Sequence, residues 1–151
     1  MKKQITQVAE ISVSYRPAIA NKPIIKSPFD AYIVLREFFS DDTIQLNEKF
    51  MVMYLNKANR VLGVYPVSVG GITSAIVDLR LILSIALTTL AVSIVLCHNH
   101  PSGSLKPSQN DIDVTHKIKE AAKYMDIYVQ DHIIVTFEAG KYFSFADDGL
   151  M

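Results

Sequence analysis

The sequence predicts a mixed α/β domain of the α+β type, with a largely antiparallel core sheet and helices packed on it. Three observations lead there. Short runs with strand character, some alternating and some continuously apolar, recur along the chain. Between them stand segments with helix caps or apolar residues at helical spacing. The chain has 151 residues, 50% of them hydrophobic and 20% charged, which suits one globular domain with a single sizeable core. Residues 1–151 are accordingly read as one domain, in which residues 1–47 are an extension contributing a strand and a helix.

Ala9 to Tyr15 alternates, with Ile11, Val13 and Tyr15 set against Ser12 and Ser14, and predicts a half-buried strand. Arg16 to Lys26 holds two prolines and reads as a connection. Ser27-Pro28-Phe29-Asp30 is a helix start, with a serine cap, proline at the first helical position and an acid in the first turn. That helix runs to about Phe39, where Ser40-Asp41-Asp42 breaks it. Glu48 to Leu55 is nearly continuous apolar sequence, as expected of a strand buried on both faces. Asn56 to Arg60 turns the chain into a second strand, Val61 to Val69, and Gly70-Gly71 ends the hairpin. Asp78 to Leu90 reads as a helix and Val92 to Cys97 as a central strand. Ser108 to Met125 is an amphipathic helix with Ile112, Ile118, Ala122 and Met125 along one side. Ile127 to Val129, Ile133 to Phe137 and Tyr142 to Phe145 read as short strands, the last pair turned by Glu138 to Lys141 with Gly140.

Bulk chemistry narrows the function. Fifteen basic residues balance fifteen acidic ones, so no global positive field draws in nucleic acid. Cys97 is the only cysteine, which rules out an intramolecular disulfide and points to a reducing cytoplasm. Met1-Lys2-Lys3-Gln4 leads into alternating residues rather than the apolar core of a signal peptide. Leu81 to Cys97 lacks charge but falls short of the roughly 20 apolar residues of a membrane span. It also changes midway from leucine and alanine to β-branched residues, as a buried helix leading into a buried strand would.

The chemistry concentrates in Cys97-His98-Asn99-His100-Pro101-Ser102-Gly103, taken with Ser108 and Asp111. The spacing is H-x-H-x7-S-x2-D. At a strand end, residues two apart point to the same side, so His98 and His100 can aim at one point while Asn99 turns away. Ser108 can cap the following helix and set Asp111 in its first turn, and the turn-rich loop can fold back to complete a His2Asp set. Zinc takes such ligands at about 2.0–2.2 Å, and three protein ligands leave a fourth position for water. Ser108 and Asp111 also make a capping box, which needs no metal, and both roles can coexist.

These residues resemble the JAMM metalloprotease motif of JAB/MPN domains, and the wider sequence resembles the RadC family within that group. The supporting strings are His98 to Gly103, Lys106-Pro107-Ser108-Gln109-Asn110-Asp111-Ile112, Asp131-His132-Ile133-Ile134-Val135 and Tyr142 to Leu150. They span some two-thirds of the chain, from about Glu48 onward. The resemblance implies a JAB/MPN fold of cytidine-deaminase-like architecture. By position it makes His98, His100 and Asp111 ligands of Zn2+, Ser108 a stabiliser of the oxyanion, and Glu48 the general base. The implied activity is cleavage of a peptide or isopeptide bond. Zinc acidifies its water, Glu48 takes the proton and passes it to the leaving amine, and Ser108 donates to the oxyanion.

Full-length RadC-like proteins carry an N-terminal helical region similar to helix-hairpin-helix DNA-binding modules. The first 47 residues here are too short for it, so the chain resembles the short stand-alone members often linked to mobile elements. The expected partner is a protein or peptide substrate, without membrane and without nucleic acid despite the family's DNA-repair label; homo-oligomer formation stays open. The competing readings are a non-catalytic JAB-like protein-binding scaffold and a DNA-repair or mobile-element accessory protein. Among neighbouring residues, Cys97 is expected in the core, opposite His98 by strand alternation. His132 beside Asp131 is expected to be a structural pair at a strand start, and His116 to be exposed.

Overall fold

The computed structural model describes residues 7–17, 19–70 and 77–151. Helix α1 (Pro28–Arg36) starts as its sequence dictates: the Ser27 hydroxyl accepts from the Asp30 backbone N–H at 3.2 Å, and Pro28 fills the first turn, where no N–H is needed. Strands β1 (Lys49–Leu55) and β2 (Val61–Val69) form the expected antiparallel hairpin. Its turn is held by the Asn56 side-chain oxygen, which accepts from the backbone N–H of Ala58 and of Arg60 at 3.0 Å each.

Helix α2 (Leu79–Thr89) is capped by Asp78, whose carboxylate accepts from the Arg80 N–H. It leads into β3 (Ser93–Asn99), which is buried at every position. Helix α3 (Gln109–Lys123) then crosses over to β4 (Tyr128–Val135), and β5 (Tyr142–Ser144) returns beside it. The five-stranded sheet has the order β2-β1-β3-β4-β5. Only β3 and β4 run parallel, the one pairing that needs a long crossover, and α3 supplies it. The fold is therefore the α+β domain with a mostly antiparallel sheet that the sequence predicts, and it is consistent with a JAB/MPN-like fold.

Strand alternation divides the core in two. Met51, Met53, Leu55, Val95, Cys97, Ile133 and Val135 face α1 and meet its Ala31, Tyr32 and Leu35. Phe50, Val52, Tyr54, Ile94 and Leu96 face the other way, against Ile82 and Ala86 of α2 and Ile118 and Ala122 of α3. With helices on both faces, β1 and β3 need apolar side chains on both, which accounts for their unbroken hydrophobic runs.

Several expectations need correction. Ala9 to Tyr15 is not a strand: Ile11 and Val13 are 88% and 69% exposed, and the segment enters no ladder among the described residues. It runs past the edge strand β2 without joining it, tethered by the Tyr15 hydroxyl, which donates to the Leu62 carbonyl. Among the described residues the N-terminal extension thus contributes the helix and one isolated bridge, Ile24 with Arg60, but no strand. Helix α1 ends at Arg36, short of Phe39, and Gly71 of the expected hairpin stop lies outside the described residues. Met125 falls in the turn after α3 and is exposed. The separate strands at Ile127 to Val129 and Ile133 to Phe137 are one continuous β4. Leu81 to Cys97 is the predicted helix followed by a strand, and among the described residues no helix is long and apolar enough to cross a membrane.

Candidate metal centre at the end of strand β3

His98 lies within β3, opposite Phe50 of β1 and Ile134 of β4, on the face covered by α2 and α3. His100 sits just past the strand, but its N–H still donates to the Val135 carbonyl at 3.0 Å. The strand path is thereby prolonged and both imidazoles stay on one side. Their Nε2 atoms are 2.9 Å apart. The loop then doubles back, and Asp111 in the first turn of α3 brings Oδ1 to 3.2 Å from His98 Nε2 and Oδ2 to 3.2 Å from His100 Nε2.

Ser108 caps α3. Its hydroxyl accepts from the Asp111 N–H at 3.1 Å, and Asp111 Oδ2 accepts from the Ser108 N–H at 2.7 Å. The reciprocal capping box therefore forms, and it aims the Asp111 carboxylate at the histidines with the same bonds that start the helix. The serine's own O–H proton is not used in that box.

Glu48 joins from the neighbouring strand. Phe50 pairs with His98, so the residue two positions earlier stands level with His100. The Glu48 carboxylate and one ring nitrogen from each histidine lie within 4.8 Å of one another. His98, His100 and Asp111 contact one another at 2.9 and 3.2 Å, and Glu48 joins the same two histidines in a group that could hold a metal ion.

Asn99 seats Glu48 from behind. Fully buried, it donates to the carbonyls of Ile44 and Asn47 at 2.8 and 2.9 Å, and its side-chain oxygen accepts from the Lys49 N–H at 2.7 Å. All of its principal polar capacity is spent on the loop that delivers the glutamate.

Proton bookkeeping defines the state of the histidines. A backbone carbonyl can only accept, so Thr115 donates its single O–H proton to the Asp111 carbonyl at 2.6 Å. Its oxygen, 2.5 Å from His132 Nδ1, must then accept, which puts a proton on that nitrogen. His132 is fully buried between Phe50 and Phe145, with a hydroxyl and an imidazole as its ring partners and no carboxylate among them, so the ring is neutral and its Nε2 is bare. That Nε2, 2.7 Å from His98 Nδ1, accepts the proton there, so the neutral His98 ring has its lone pair at Nε2. His100 Nδ1 donates to the Ser104 carbonyl at 2.8 Å, so the neutral ring also presents a bare Nε2.

Two nitrogen lone pairs and a carboxylate thus converge on one point. Such a cluster requires positive charge. A proton is the least that suffices: burial opposes charge on His100, but hydrogen bonds to Asp111 and Ser104 outweigh it and raise its pKa. With a proton in the cluster, burial still opposes ionisation of Asp111, and hydrogen bonding to His100 and then His98 overcomes it, holding the carboxyl well below the usual range. A divalent cation meets the same need more completely, and the donor set of two imidazoles and a carboxylate suits one.

The structure therefore brings together Glu48, His98, His100, Ser108 and Asp111. It corrects the reading of His132, which is not at a strand start but inside β4, fully buried and against His98. The available signal was a polar pair embedded in an apolar strand. Asp131, on the opposite face, accepts from Ser144 Oγ at 2.6 Å and from the Ala146 N–H at 2.9 Å, pinning the C-terminal segment. Burial raises its pKa despite those bonds. Cys97 is buried in the α1-facing core, where desolvation pushes its thiol pKa up, and His116 is exposed, both as expected.

Gly103 holds the loop's shape. Its φ is +84°, its N–H donates to the His100 carbonyl at 3.0 Å, and a Cβ there would come within 2.7 Å of Phe137 Cε1. Gly140, at φ +79°, has open space around it. Gly103→Ala should therefore cost more than the roughly 1–3 kcal/mol of left-handed strain alone, and Gly140→Ala only the strain. Thermal melts of the two variants check the ordering; equal losses would show that Phe137 yields freely.

Comparison with known proteins adds a second line. The family model of the RadC-like JAB domain matches residues 25–150. The chain is 40% identical over 126 residues to a UPF0758 protein of Flavobacterium johnsoniae, covering 83% of this chain and 53% of that protein. It is 34% identical over 149 residues to a UPF0758 protein of Porphyromonas gingivalis, covering 99% and 65%. A UPF0758 protein of Methanosarcina mazei is 37% identical over 127 residues, covering 84% and 53%. The chain thus spans between about half and two-thirds of the length of these curated relatives.

Proposed function

Because the chain belongs to the RadC-like JAB domain family, we propose that it is a zinc-dependent metallohydrolase that cleaves a peptide or isopeptide bond. The observation that carries this reading is the convergence of bare His98 Nε2, bare His100 Nε2 and the Asp111 carboxylate, a cluster that calls for a cation. These three residues would hold it. When bound there, zinc supplies Lewis acidity, which acidifies a water and polarises a carbonyl.

The remaining steps belong to the chain. Glu48, whose carboxylate reaches the same two histidines, would take the proton of the attacking water and hand it to the departing amine. Ser108 keeps its O–H proton because the capping box uses only its lone pair, so the hydroxyl is available to donate to a developing oxyanion. The preset tautomers of His98 and His100 mean that neither ring must reorganise to act as a ligand.

Metal analysis and a cleavage screen test the reading. Protein purified without chelator should carry about one zinc per chain, the stoichiometry of a single three-ligand site. Cleavage within a panel of peptide and isopeptide substrates should vanish on chelation and return with zinc. Failure to bind zinc at neutral pH, or zinc binding with no cleavage across the panel, would overturn the assignment.

A further inference from the structure

We infer that Thr115 and His132 are positioning residues that fix the tautomer of His98 and thereby set the cation affinity of the centre. The inference rests on the metal reading above, but its own evidence is the direction of the hydrogen bonds behind the site.

The chain of donors runs one way. Thr115 Oγ1 donates to the Asp111 carbonyl, His132 Nδ1 donates to Thr115 Oγ1, and His98 Nδ1 donates to His132 Nε2. The direction is imposed at the far end by a group that has no proton to give. It ends with the His98 lone pair aimed at the cluster. The relay also closes on itself, because the carbonyl that sets its direction belongs to Asp111, whose side chain is a proposed ligand of the same ion.

The rings are held as well as protonated selectively. His132 stacks on Phe145 with centroids 4.6 Å apart and meets Phe50 edge-on at 5.5 Å. His98 lies parallel to Phe50 at 6.1 Å. Burying two imidazoles in contact is costly unless every nitrogen is satisfied, and here the Nδ1–Nε2 pair and the hydroxyl satisfy all but the one nitrogen facing the cluster. A histidine ligand usually hands its second nitrogen to a carboxylate, a carbonyl or a water, and the loss of such a support typically lowers metal affinity. Here a neutral imidazole does that work, and its own polarity is decided one residue further back. Unlike a carboxylate, it adds no negative charge behind the ligand, so the net charge at the centre is left to Asp111 and Glu48.

The test reads tautomers and affinity separately. Long-range nitrogen–proton NMR correlations on the metal-free protein should show His98 and His132 protonated at Nδ1. In Thr115→Val the fixed acceptor is gone, and a second His98 tautomer should appear. Its zinc affinity, measured by competition with a chelator, should fall roughly 10–100-fold. Thr115→Ser should restore both. His132→Gln, which can present a carbonyl to His98 and an amide N–H to Thr115, should retain far more affinity than His132→Leu, with melting temperatures confirming that each variant folds. A wild-type protein whose His98 lacks the proton at Nδ1, or unchanged zinc affinity in Thr115→Val, overturns the relay. Stated tautomers in a protein that binds no zinc would instead overturn the metal reading and leave the tautomer assignment standing.

Discussion

Glu48→Gln should retain zinc and melt like the wild type while its hydrolysis falls by roughly 10²–10⁴-fold, the usual contribution of a general base. The substitution keeps the length and shape of the side chain and removes its basicity. Zinc retention is expected because His98, His100 and Asp111, in mutual contact at 2.9 and 3.2 Å, are the proposed ligands and all three remain. Folding should hold because Gln keeps the side chain's length and shape, and Asn99 holds the flanking backbone. Metal analysis, a thermal melt and a rate assay on one sample decide the matter. Loss of zinc would make Glu48 a ligand; wild-type rates would send the search for the base elsewhere.

Asp111→Asn separates the two roles of that position. The amide oxygen can still accept from the Ser108 N–H, so the capping box and α3 should survive, with stability changed by no more than about 1 kcal/mol. Its NH2, in the place of Oδ1, then faces His98 Nε2 and donates to a lone pair that the ion needs. One anionic ligand is lost and the neutral pair is stabilised without metal. Zinc affinity should fall by more than the roughly 10–100-fold typical of losing a residue that only supports a ligand. Chelator competition beside a melting curve reads this; tight zinc binding in Asp111→Asn would remove the aspartate from the ligand set.

Local signals made most of the fold legible. Ser27-Pro28 and Ser108 announce α1 and α3 because a helix needs caps at its start wherever it is packed. The hairpin is readable because β1 is apolar throughout and a turn lies between two strand-length runs. Ala9 to Tyr15 misleads, since alternation records two faces but not whether the segment joins an edge. Gln130-Asp131-His132 looks like a polar break in β4. It is not one, because Asp131 is satisfied by Ser144 and Ala146, and His132 by Thr115 and His98.

In the site, His98, His100, Ser108 and Asp111 come together through one strand, one loop and one helix cap, all local devices with sequence signatures. Glu48 depends on the β1–β3 register, and only its likeness to a known motif pointed to it. His132 depends on the parallel register that sets it beside Leu96, a fact encoded in neither strand alone.

The uneven reach of these contacts has a kinetic consequence. His98, His100 and Asp111 sit on the unit that runs from β3 into α3, whereas the bond that seats Glu48, from the Lys49 N–H to Asn99, closes a separation of 50 residues. Closing long loops costs more entropy, and non-local strand pairings form late. As the chain leaves the ribosome, Glu48 emerges first yet has nothing to act on until β3 arrives. Once β3 and α3 are out, the three donors can gather before the β1–β3 ladder zips. On the proposed reading, capture of the ion and completion of the site by Glu48 would therefore be separate events in the life of a nascent chain.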